Sequence, residues 1–229
     1  IKDNINIVDL EGYKSGRWWI QDYAATIPVK LMGDIYKKKV LDMCSAPGGK
    51  TFQLINMGAD VTSNDFSKKR LETMKENAKR LNYDIKILEL NFLKINEKNK
   101  YEIILLDAPC TAIGTVKRNP EILFRDNGPN IKYLIKQQQE MLNKASRLLI
   151  LNGLLLYTVC SIFEDEGRKQ IEKFIIKNKN FIVDKIKKNE INLSAKIITK
   201  EGFIQTFPYN LNQLGGVDGF FIARLKKIK

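Results

Sequence analysis

Two cysteines follow apolar runs of the sequence and have the clearest capacity for chemistry. Cys110 stands in the stretch D-A-P-C-T-A-I-G-T, and Cys160 stands in T-V-C-S. A thiolate is a strong nucleophile, so a thiol at the end of a strand could act on a bound ligand. Packing is the alternative, because free cysteine is among the most buried residue types. Two cysteines at matching positions, each followed by small or hydroxyl residues, favour a chemical role.

Residues 40–53 form a second stretch with chemical potential, V-L-D-M-C-S-A-P-G-G-K-T-F-Q. The apolar run, the Pro-Gly-Gly break and the helix-compatible restart predict a strand, a tight loop and a helix. Backbone amides at such a helix start, beside two glycines, can receive a polar ligand. An ordinary turn is the alternative. A phosphate-binding Walker loop shares the G-K-[ST] ending but requires glycine where Cys44 stands, and the dinucleotide fingerprint G-x-G-x-x-G is absent.

Strands and helices alternate from residue 39 onward. Strands are predicted at 39–43, 60–64, 85–89, 101–106, 153–158, 181–185 and 219–225. Helices are predicted at 21–32, 50–57, 67–81, 132–149 and 164–178, with a hairpin or extended segment at 12–19. This alternation implies an α/β fold with a mostly parallel, doubly wound sheet that helices cover on both faces. Residues 1–35 are expected to pack on the core as an N-terminal segment, and residues 36–229 to form the main domain.

Several polar side chains stand where the predicted strands end, which is where doubly wound sheets bind ligands. Asp65 ends the second strand about 20 residues after the loop, a position that commonly binds ribose hydroxyls. Capping of the next helix is the alternative, but Ser67 suits that role better. Asn91 follows the third strand as an adenine contact or an ordinary loop residue, and Asp107 ends the fourth. The set implies a cofactor with an adenosine group. If the fourth and fifth strands are neighbours, about 4.8 Å apart, the two thiols share one pocket beside it.

The composition narrows the class of partner. The chain has 229 residues, 44% of them hydrophobic, and a formal charge of +13, which favours nucleic acid as a partner. A lysine-rich solvated surface from an AT-rich genome is the alternative. Three cysteines, no histidine and no C-x-x-C pair argue against a disulfide framework and a zinc site. No apolar run approaches a membrane span of roughly 18 residues. We therefore expect a cytoplasmic protein with reduced thiols, no metal and no membrane partner.

The N-terminal region contributes further candidates. Trp18 and Trp19 are expected to pack rather than to stack on bases, and Arg17 and Gln21 are candidate ligand contacts. Residue 1 is Ile rather than Met, which favours a fragment or a processed product.

Four motifs together resemble the NOL/NOP/Sun family of RNA cytosine-5 methyltransferases, with the bacterial ribosomal RNA methyltransferase B branch nearest. They are D-M-C-S-A-P-G-G-K-T, N-D-F-S-K-K-R-L, D-A-P-C-T-A-I-G-T and T-V-C-S-I-F-E-D-E-G, in this order and spacing. The resemblance extends from the motif that begins at Gly16 to the motif V-D-G-F-F-I-A-R-L that begins at Val217, and therefore covers nearly the whole chain.

The resemblance implies a Rossmann-like class I methyltransferase fold with an antiparallel last strand and S-adenosylmethionine as cofactor. It implies cofactor-binding positions at Cys44, Ser45, Ala46, Pro47, Gly48, Gly49, Lys50, Asp65, Asn91 and Asp107. It also implies Cys160 as nucleophile, Cys110 as the releasing cysteine and Asp107 as a hydrogen-bond partner of the cytosine ring. The partner implied is RNA, with 16S ribosomal RNA favoured, and the protein is expected to be a monomer. Transfer RNA as substrate, or a catalytically silent RNA-binding scaffold, are the alternatives.

The implied chemistry explains the need for two thiols. Carbon 5 of cytosine is a poor nucleophile, so a thiolate at carbon 6 must push electron density onto it before methyl transfer. A thiol of ordinary pKa is mostly protonated at neutral pH, and Lys50 or the cofactor sulfonium could lower the pKa of Cys160.

The sequence departs from the family pattern at three points. Asn91 stands where the family usually has Asp, and Thr111-Ala112 replaces the commoner Ser-Gly. The bacterial ribosomal members usually carry an N-terminal RNA-binding helical domain, which these residues do not include. Phosphate contacts are expected from Lys117, Arg118 or residues 132–147, although the last stretch equally fits a solvated helix face.

Overall fold

A computed structural model describes residues 6–124, 128, 130–191 and 195–229. Within these residues, eight strands form one sheet: β1 (Lys39–Met43), β2 (Asp60–Asp65), β3 (Lys86–Glu89), β4 (Tyr101–Asp107), β5 (Leu149–Val159), β6 (Phe181–Val183), β7 (Ile204–Gln205) and β8 (Phe221–Lys227). The α-helices are α1 (Tyr23–Lys30), α2 (Gly49–Asn56), α3 (Lys68–Leu81), α4 (Ile131–Leu148) and α5 (Arg168–Lys177). Short 3₁₀ helices include Phe92–Lys94 and Ile113–Thr115, which follow β3 and β4.

The strand order is β3-β2-β1-β4-β5-β8-β6, with β7 also pairing with β8. β1 pairs in parallel with both β2 and β4, and β5 pairs in parallel with β4. β8 runs antiparallel to β5, β6 and β7. The predicted doubly wound α/β sheet and its antiparallel last strand are therefore confirmed. The strand order reverses between β1 and β4, so the ligand site is expected at their carboxyl ends.

Apolar cores cover both faces of the sheet because successive strand residues point to opposite sides. On one face Val40, Ile103 and Leu105 pack with buried residues of α1 and α2. On the other face Leu41 and Ile104 pack with buried residues of α4 and α5. These strands carry apolar side chains at successive positions, as expected for a parallel sheet buried on both sides.

The N-terminal segment lies against the main domain. α1 begins at Asp22, whose carboxylate accepts a hydrogen bond from the Ala24 amide at 2.8 Å, and its buried residues join one face of the sheet. Residues 11–16 form consecutive turns, with the Arg17 amide donating to the Gly12 carbonyl at 2.9 Å, and residues 18–20 have no regular structure. The hairpin that the sequence offered for residues 12–19 as an alternative to an extended segment is therefore not observed. The division of the chain at residue 36 stays a prediction.

Several element boundaries differ from the predictions by up to four residues, among them those of α1, β6 and β8, and the two-residue strand β7 was not predicted. α5 begins at Arg168 rather than at residue 164. The Glu166 carbonyl accepts a hydrogen bond from the Tyr157 hydroxyl at 2.6 Å and so takes no part in the hydrogen bonds of the helix. β5 begins at Leu149 rather than at residue 153. No helix in the described part of the chain is both long and apolar enough to cross a membrane.

Candidate active site

A cavity of about 640 Å³ opens where β1 and β4 end. The loop after β1, the N-terminal segment and α3 form its walls. The lining residues that carry polar groups include Gln21, Asp22, Asp42, Ser45, Lys50, Arg70, Asp107 and Arg118. The cavity therefore lies at the reversal point of the strand order and combines opposite charges within one space.

The loop after β1 is held by its own backbone and by β2. The Ser45 amide donates to the Asn64 carbonyl at 3.0 Å, and the Gly48 amide donates to the Ser45 carbonyl at 2.9 Å. Gly48 has a φ of 109°, and a Cβ there would lie 2.5 Å from the Phe52 ring. Only glycine fits this position, and it provides no side-chain cap for α2. The first amides of α2, at Gly49 and Lys50 beside the cavity, have no acceptor within the helix.

Asp65 and Asn91 have local partners in the structure. The Asp65 carboxylate, 2% exposed, accepts from the Ala46 amide at 3.1 Å and from the Ser67 amide at 2.9 Å. Asn91 accepts from the Leu93 amide at 2.9 Å and so caps a 3₁₀ helix. Neither side chain is among the described residues that line the cavity. Their contacts with ribose and adenine stay predictions. Asp65 supports the loop after β1 and the Ser67 backbone, and Asn91 caps a short 3₁₀ helix. Ser67, which the sequence favoured as the cap of α3, makes no side-chain capping hydrogen bond.

Asp42 at the end of β1 is a polar group that the sequence did not single out. Its side chain is fully buried and accepts a hydrogen bond from the Thr51 hydroxyl at 2.6 Å. Burial raises the pKa of Asp42 to about 7, although the Thr51 hydrogen bond acts in the opposite direction. Its other oxygen, Oδ1, has no hydrogen-bond partner. An unpaired acceptor beside free helix amides in a polar cavity fits a cofactor that carries hydroxyl, carboxylate and ammonium groups.

Lys50 connects the cavity with the ends of β4 and β5. Its ammonium nitrogen lies 2.7 Å from Asp107 Oδ2, and its side chain is 11% exposed. Burial acts to lower the pKa of Lys50, but the Asp107 carboxylate outweighs burial and raises it, with a smaller contribution from Cys160. The ammonium group also lies 5.3 Å from the centre of the Phe220 ring. Lys50 is thus a fixed positive charge that acts on both Asp107 and Cys160.

The two cysteines meet as the sequence predicted. β4 and β5 are parallel neighbours, and Cys110 Sγ lies 3.4 Å from Cys160 Sγ. The hydrogen bond to Cys160, followed by burial, raises the pKa of Cys110 well above its ordinary value. Neither Cys110 nor Cys160 is among the described residues that line the cavity. Cys44 does line the cavity, and burial followed by the charge of Asp65 raises its pKa.

The basic residues predicted to contact phosphate have different surroundings. Lys117 donates to the Gly215 carbonyl, whereas Arg118 lines the cavity and donates to the buried Asp218 at 2.8 Å. In α4, Lys144 and Arg147 both pair with Glu97, at 3.0 and 2.8 Å. Part of the basic stretch 132–147 therefore has a structural role.

The aromatic residues of the N-terminal segment pack, as predicted. Trp19 contacts Phe52 and Tyr83 edge-to-face, and Trp18 contacts Tyr13. Gln21 lines the cavity, whereas Arg17 pairs with Glu11 at the surface.

Sequence reasoning missed Glu166, which is fully buried behind Cys110. Its carboxylate accepts hydrogen bonds from Thr111 and Gln138. The one signal in the sequence is an acidic residue six positions after Cys160, at the start of the helix predicted over residues 164–178. Within the described residues, no group of three or more His, Cys, Asp or Glu side chains is arranged to hold a metal ion.

The fold and the cavity define a class I S-adenosylmethionine-dependent methyltransferase. A sequence model of the 16S rRNA methyltransferase RsmB/F family matches residues 33–226, and the chain belongs to this family. The predicted resemblance and the predicted cofactor of the family are thereby confirmed.

Individual relatives agree with the family match. The ribosomal RNA small subunit methyltransferase B of Photorhabdus laumondii is 33% identical over 95% of this chain and 49% of its own length. The protein of the same name from Pseudomonas putida is 32% identical over 96% of this chain and 49% of its own length. The chain thus spans about half the length of these curated relatives. The structure of NSun6 from Pyrococcus horikoshii with SFG, an S-adenosylmethionine analogue, superposes with a TM-score of 0.83 at 27% identity, over 98% of this chain and 57% of that one.

Proposed function

We propose that this chain is the catalytic part of a methyltransferase that transfers a methyl group from S-adenosylmethionine to carbon 5 of a cytosine in 16S ribosomal RNA. The observation that carries the proposal is the pair of thiols, 3.4 Å apart, at the ends of neighbouring strands. The names of the curated relatives support a ribosomal RNA substrate. The net charge of +13 supports a polyanionic partner.

In this proposal Cys160 is the nucleophile. Bonding of its sulfur to carbon 6 moves the electron pair of the 5,6 double bond onto carbon 5. Carbon 5 would then bond the methyl carbon of a bound S-adenosylmethionine, and the electron pair of the broken S–CH3 bond would stay on the cofactor sulfur. When S-adenosylmethionine is bound, it supplies that methyl group in an electrophilic form. The geometry supports this division of roles, because the two sulfur atoms lie 3.4 Å apart and the hydrogen bond with Cys160, followed by burial, raises the pKa of Cys110, so that Cys110 keeps its proton before the reaction.

Cys110 acts after methyl transfer. Bonding of the Cys160 sulfur to carbon 6 weakens its hydrogen bond with Cys110, which is the largest cause of the raised pKa of Cys110. Cys110 can then lose its proton to water, and its thiolate takes the proton from carbon 5. The electron pair of that C–H bond restores the 5,6 double bond, and the pair of the C6–S bond returns to Cys160. Atoms and charge balance, and the enzyme is released.

Lys50 and Asp107 are the charged residues that we propose to act beside the reacting cytosine. The Lys50 ammonium is fixed at 2.7 Å from Asp107 Oδ2 and brings a positive charge to the rim where β4 ends. Asp107 ends β4 on the same rim as the thiols, where its carboxylate can accept a hydrogen bond from a cytosine ring protonated at nitrogen 3. Breaking the ion pair should therefore impair methyl transfer more than cofactor binding.

The direct test is methyl transfer to purified RNA followed by bisulfite sequencing. We expect one cytosine of 16S ribosomal RNA to become resistant to bisulfite in the presence of the protein and S-adenosylmethionine, and Cys160→Ala to leave it sensitive. Resistance of a transfer RNA cytosine instead would assign the same reaction to the other substrate. Methylation at any atom other than carbon 5 would overturn the proposal, and binding without methylation would favour an RNA-binding scaffold.

A second measurement tests the RNA partner itself. Neutralisation of phosphates by Lys and Arg releases counterions, so RNA affinity should fall steeply between about 50 and 200 mM salt. A flat dependence would assign the charge of +13 to lysine-rich composition rather than to an RNA-binding surface.

A further inference from the structure

A buried carboxylate lies directly behind Cys110 and has no part in the chemistry proposed above. Glu166 is fully buried in the turn before α5. Its Oε1 accepts from the Thr111 amide at 2.9 Å, and its Oε2 accepts from the Thr111 hydroxyl at 2.6 Å. No Lys or Arg forms an ion pair with Glu166 in the described part of the chain. All its observed side-chain partners are neutral donors around the cysteine turn.

Gln138 of α4 extends this contact to the other side of Cys110. Its amide nitrogen donates to Glu166 Oε1 at 3.1 Å and to the Pro109 carbonyl at 2.9 Å. Gln170 donates to the Gln138 oxygen at 2.9 Å, so Gln138 is oriented in turn. The residues immediately before and after Cys110 are therefore both tied, directly or through Gln138, to one carboxylate.

Glu166 is also bound to β5, the strand that ends directly before Cys160. The Tyr157 hydroxyl, in β5, donates to the Glu166 carbonyl at 2.6 Å. The Thr111 hydroxyl also lies 3.3 Å from the Ser161 hydroxyl, next to Cys160. Glu166 thus connects the backbone that carries one thiol with the backbone that carries the other, across the 3.4 Å gap between the sulfur atoms.

A carboxylate suits this position despite the cost of burying a charge. Its two oxygens are rigidly placed and can accept from the amide and the hydroxyl of one residue together. An amide side chain provides only one acceptor and would set an N–H group against a donor.

We propose that Glu166 is a positioning residue for Cys110, which holds the Pro109–Cys110–Thr111 turn so that the Cys110 thiol faces Cys160 and the cytosine carbon 5. This inference rests on the proposed function, because it concerns the release step of that reaction. Loosening the turn should impair release while the bond between Cys160 and carbon 6 still forms. A merely structural residue would instead reduce methyl transfer, release and stability together.

The test compares Glu166→Gln, Thr111→Val and Cys110→Ala with Glu164→Gln, an exposed neighbour in the same turn that pairs with Arg168. Each variant is incubated with S-adenosylmethionine and a 16S ribosomal RNA fragment, and covalent protein–RNA adduct is measured on denaturing gels. We expect adduct in the first three variants, with steady-state turnover reduced about tenfold or more in Glu166→Gln. First-turnover methyl transfer should stay within about threefold of the wild type, and Glu164→Gln should behave as the wild type.

The outcomes distinguish the proposed role of Glu166 from the proposed methyltransferase function. Adduct in Cys110→Ala but in neither Glu166→Gln nor Thr111→Val overturns the role of Glu166 and leaves the proposed function intact. Absence of adduct in every variant, Cys110→Ala included, with continued methylation, overturns the release role of Cys110 and the role of Glu166 with it, and assigns release to another base or to water. If Glu166→Gln fails to fold in thermal denaturation, Thr111→Val decides, because valine keeps the shape of threonine and removes only the hydroxyl donor.

Discussion

The ends of β1, β2 and β3 and the ends of β4 and β5 are built by different means. We call the first region the cofactor half. There, polar side chains accept hydrogen bonds from backbone amides: Asp65 from Ala46 and Ser67, and Asn91 from Leu93. In the second region, here the catalytic half, side chains bind one another across the fold. Cys110 meets Cys160 over 50 residues of sequence, and Lys50 meets Asp107 over 57.

This difference indicates which half depends on the assembled sheet. The loop after β1 is held by its own backbone and by the neighbouring β2, with Asp65 only 19 residues from Ala46, whereas two thiols at 3.4 Å require β4 and β5 to be correctly paired. We expect substitutions in the cofactor half to change S-adenosylmethionine affinity, and substitutions in the catalytic half to change the reaction after binding.

The largest expected effect is that of Cys160→Ala, which removes the proposed nucleophile. Methyl transfer should fall by at least about 10³-fold, while cofactor affinity stays close to that of the wild type, because the thiol lies outside the cavity lining. A tritiated-methyl assay and calorimetry measure the two quantities. Turnover near the wild-type rate would mean that Cys160 is not the nucleophile, and the expected difference between the two halves would then be wrong.

The Asp42 carboxyl, at the boundary of the two halves, should make stability depend on pH. Burial raises its pKa from 3.8 to about 7, so the folded state binds a proton that the unfolded state releases. Its contribution to stability is complete below pH 4 and is lost as the pH rises to about 7. Relative to Asp42→Asn, the wild type should lose about 4 kcal/mol of unfolding free energy across this range. Denaturant titrations of both proteins provide the measurement, and a constant difference would contradict it.

Asp65→Ala should weaken S-adenosylmethionine binding by about 1.5 to 3 kcal/mol, because a charge-assisted acceptor is lost. Asp65→Asn distinguishes ribose binding from support of the loop, since the amide oxygen of asparagine can still accept a hydrogen bond from the Ala46 or the Ser67 backbone. We expect Asn to weaken binding nearly as much as Ala if ribose is the ligand. Calorimetry with unchanged affinity in Asp65→Asn would leave Asp65 a purely local support of the loop.

The smallest effect is expected for Cys44→Ala. The Cys44 thiol lies in the cofactor half, and burial raises its pKa, so it has no nucleophilic role beside Cys160. Turnover should stay within about threefold of the wild type, with a stability loss of about 1 kcal/mol for the deleted sulfur. The same methylation assay decides, and an adduct or a loss of activity like that of Cys160→Ala would mean that the thiol roles have been misassigned.

The sequence by itself determined the alternation of strands and helices and the motifs of the cofactor loop. These depend on neighbouring residues: the apolar run of residues 40–43, the paired glycines and the regular spacing of apolar positions. Pairing of β4 with β5, and hence the meeting of Cys110 and Cys160, also followed from doubly wound topology.

Only the tertiary structure decided which polar groups are buried and what they bind. Glu166 falls within the helix predicted over residues 164–178, and nothing in the sequence marks it as buried; it is fully buried because its Thr111 partner, 55 residues earlier, lies in the loop after β4. Asp42 has its pKa raised to about 7 because the sheet and α2 exclude water around it. Local patterns determine which backbone forms a strand or a helix. Burial, and with it charge state and positioning, results from contacts between segments that are distant in the sequence.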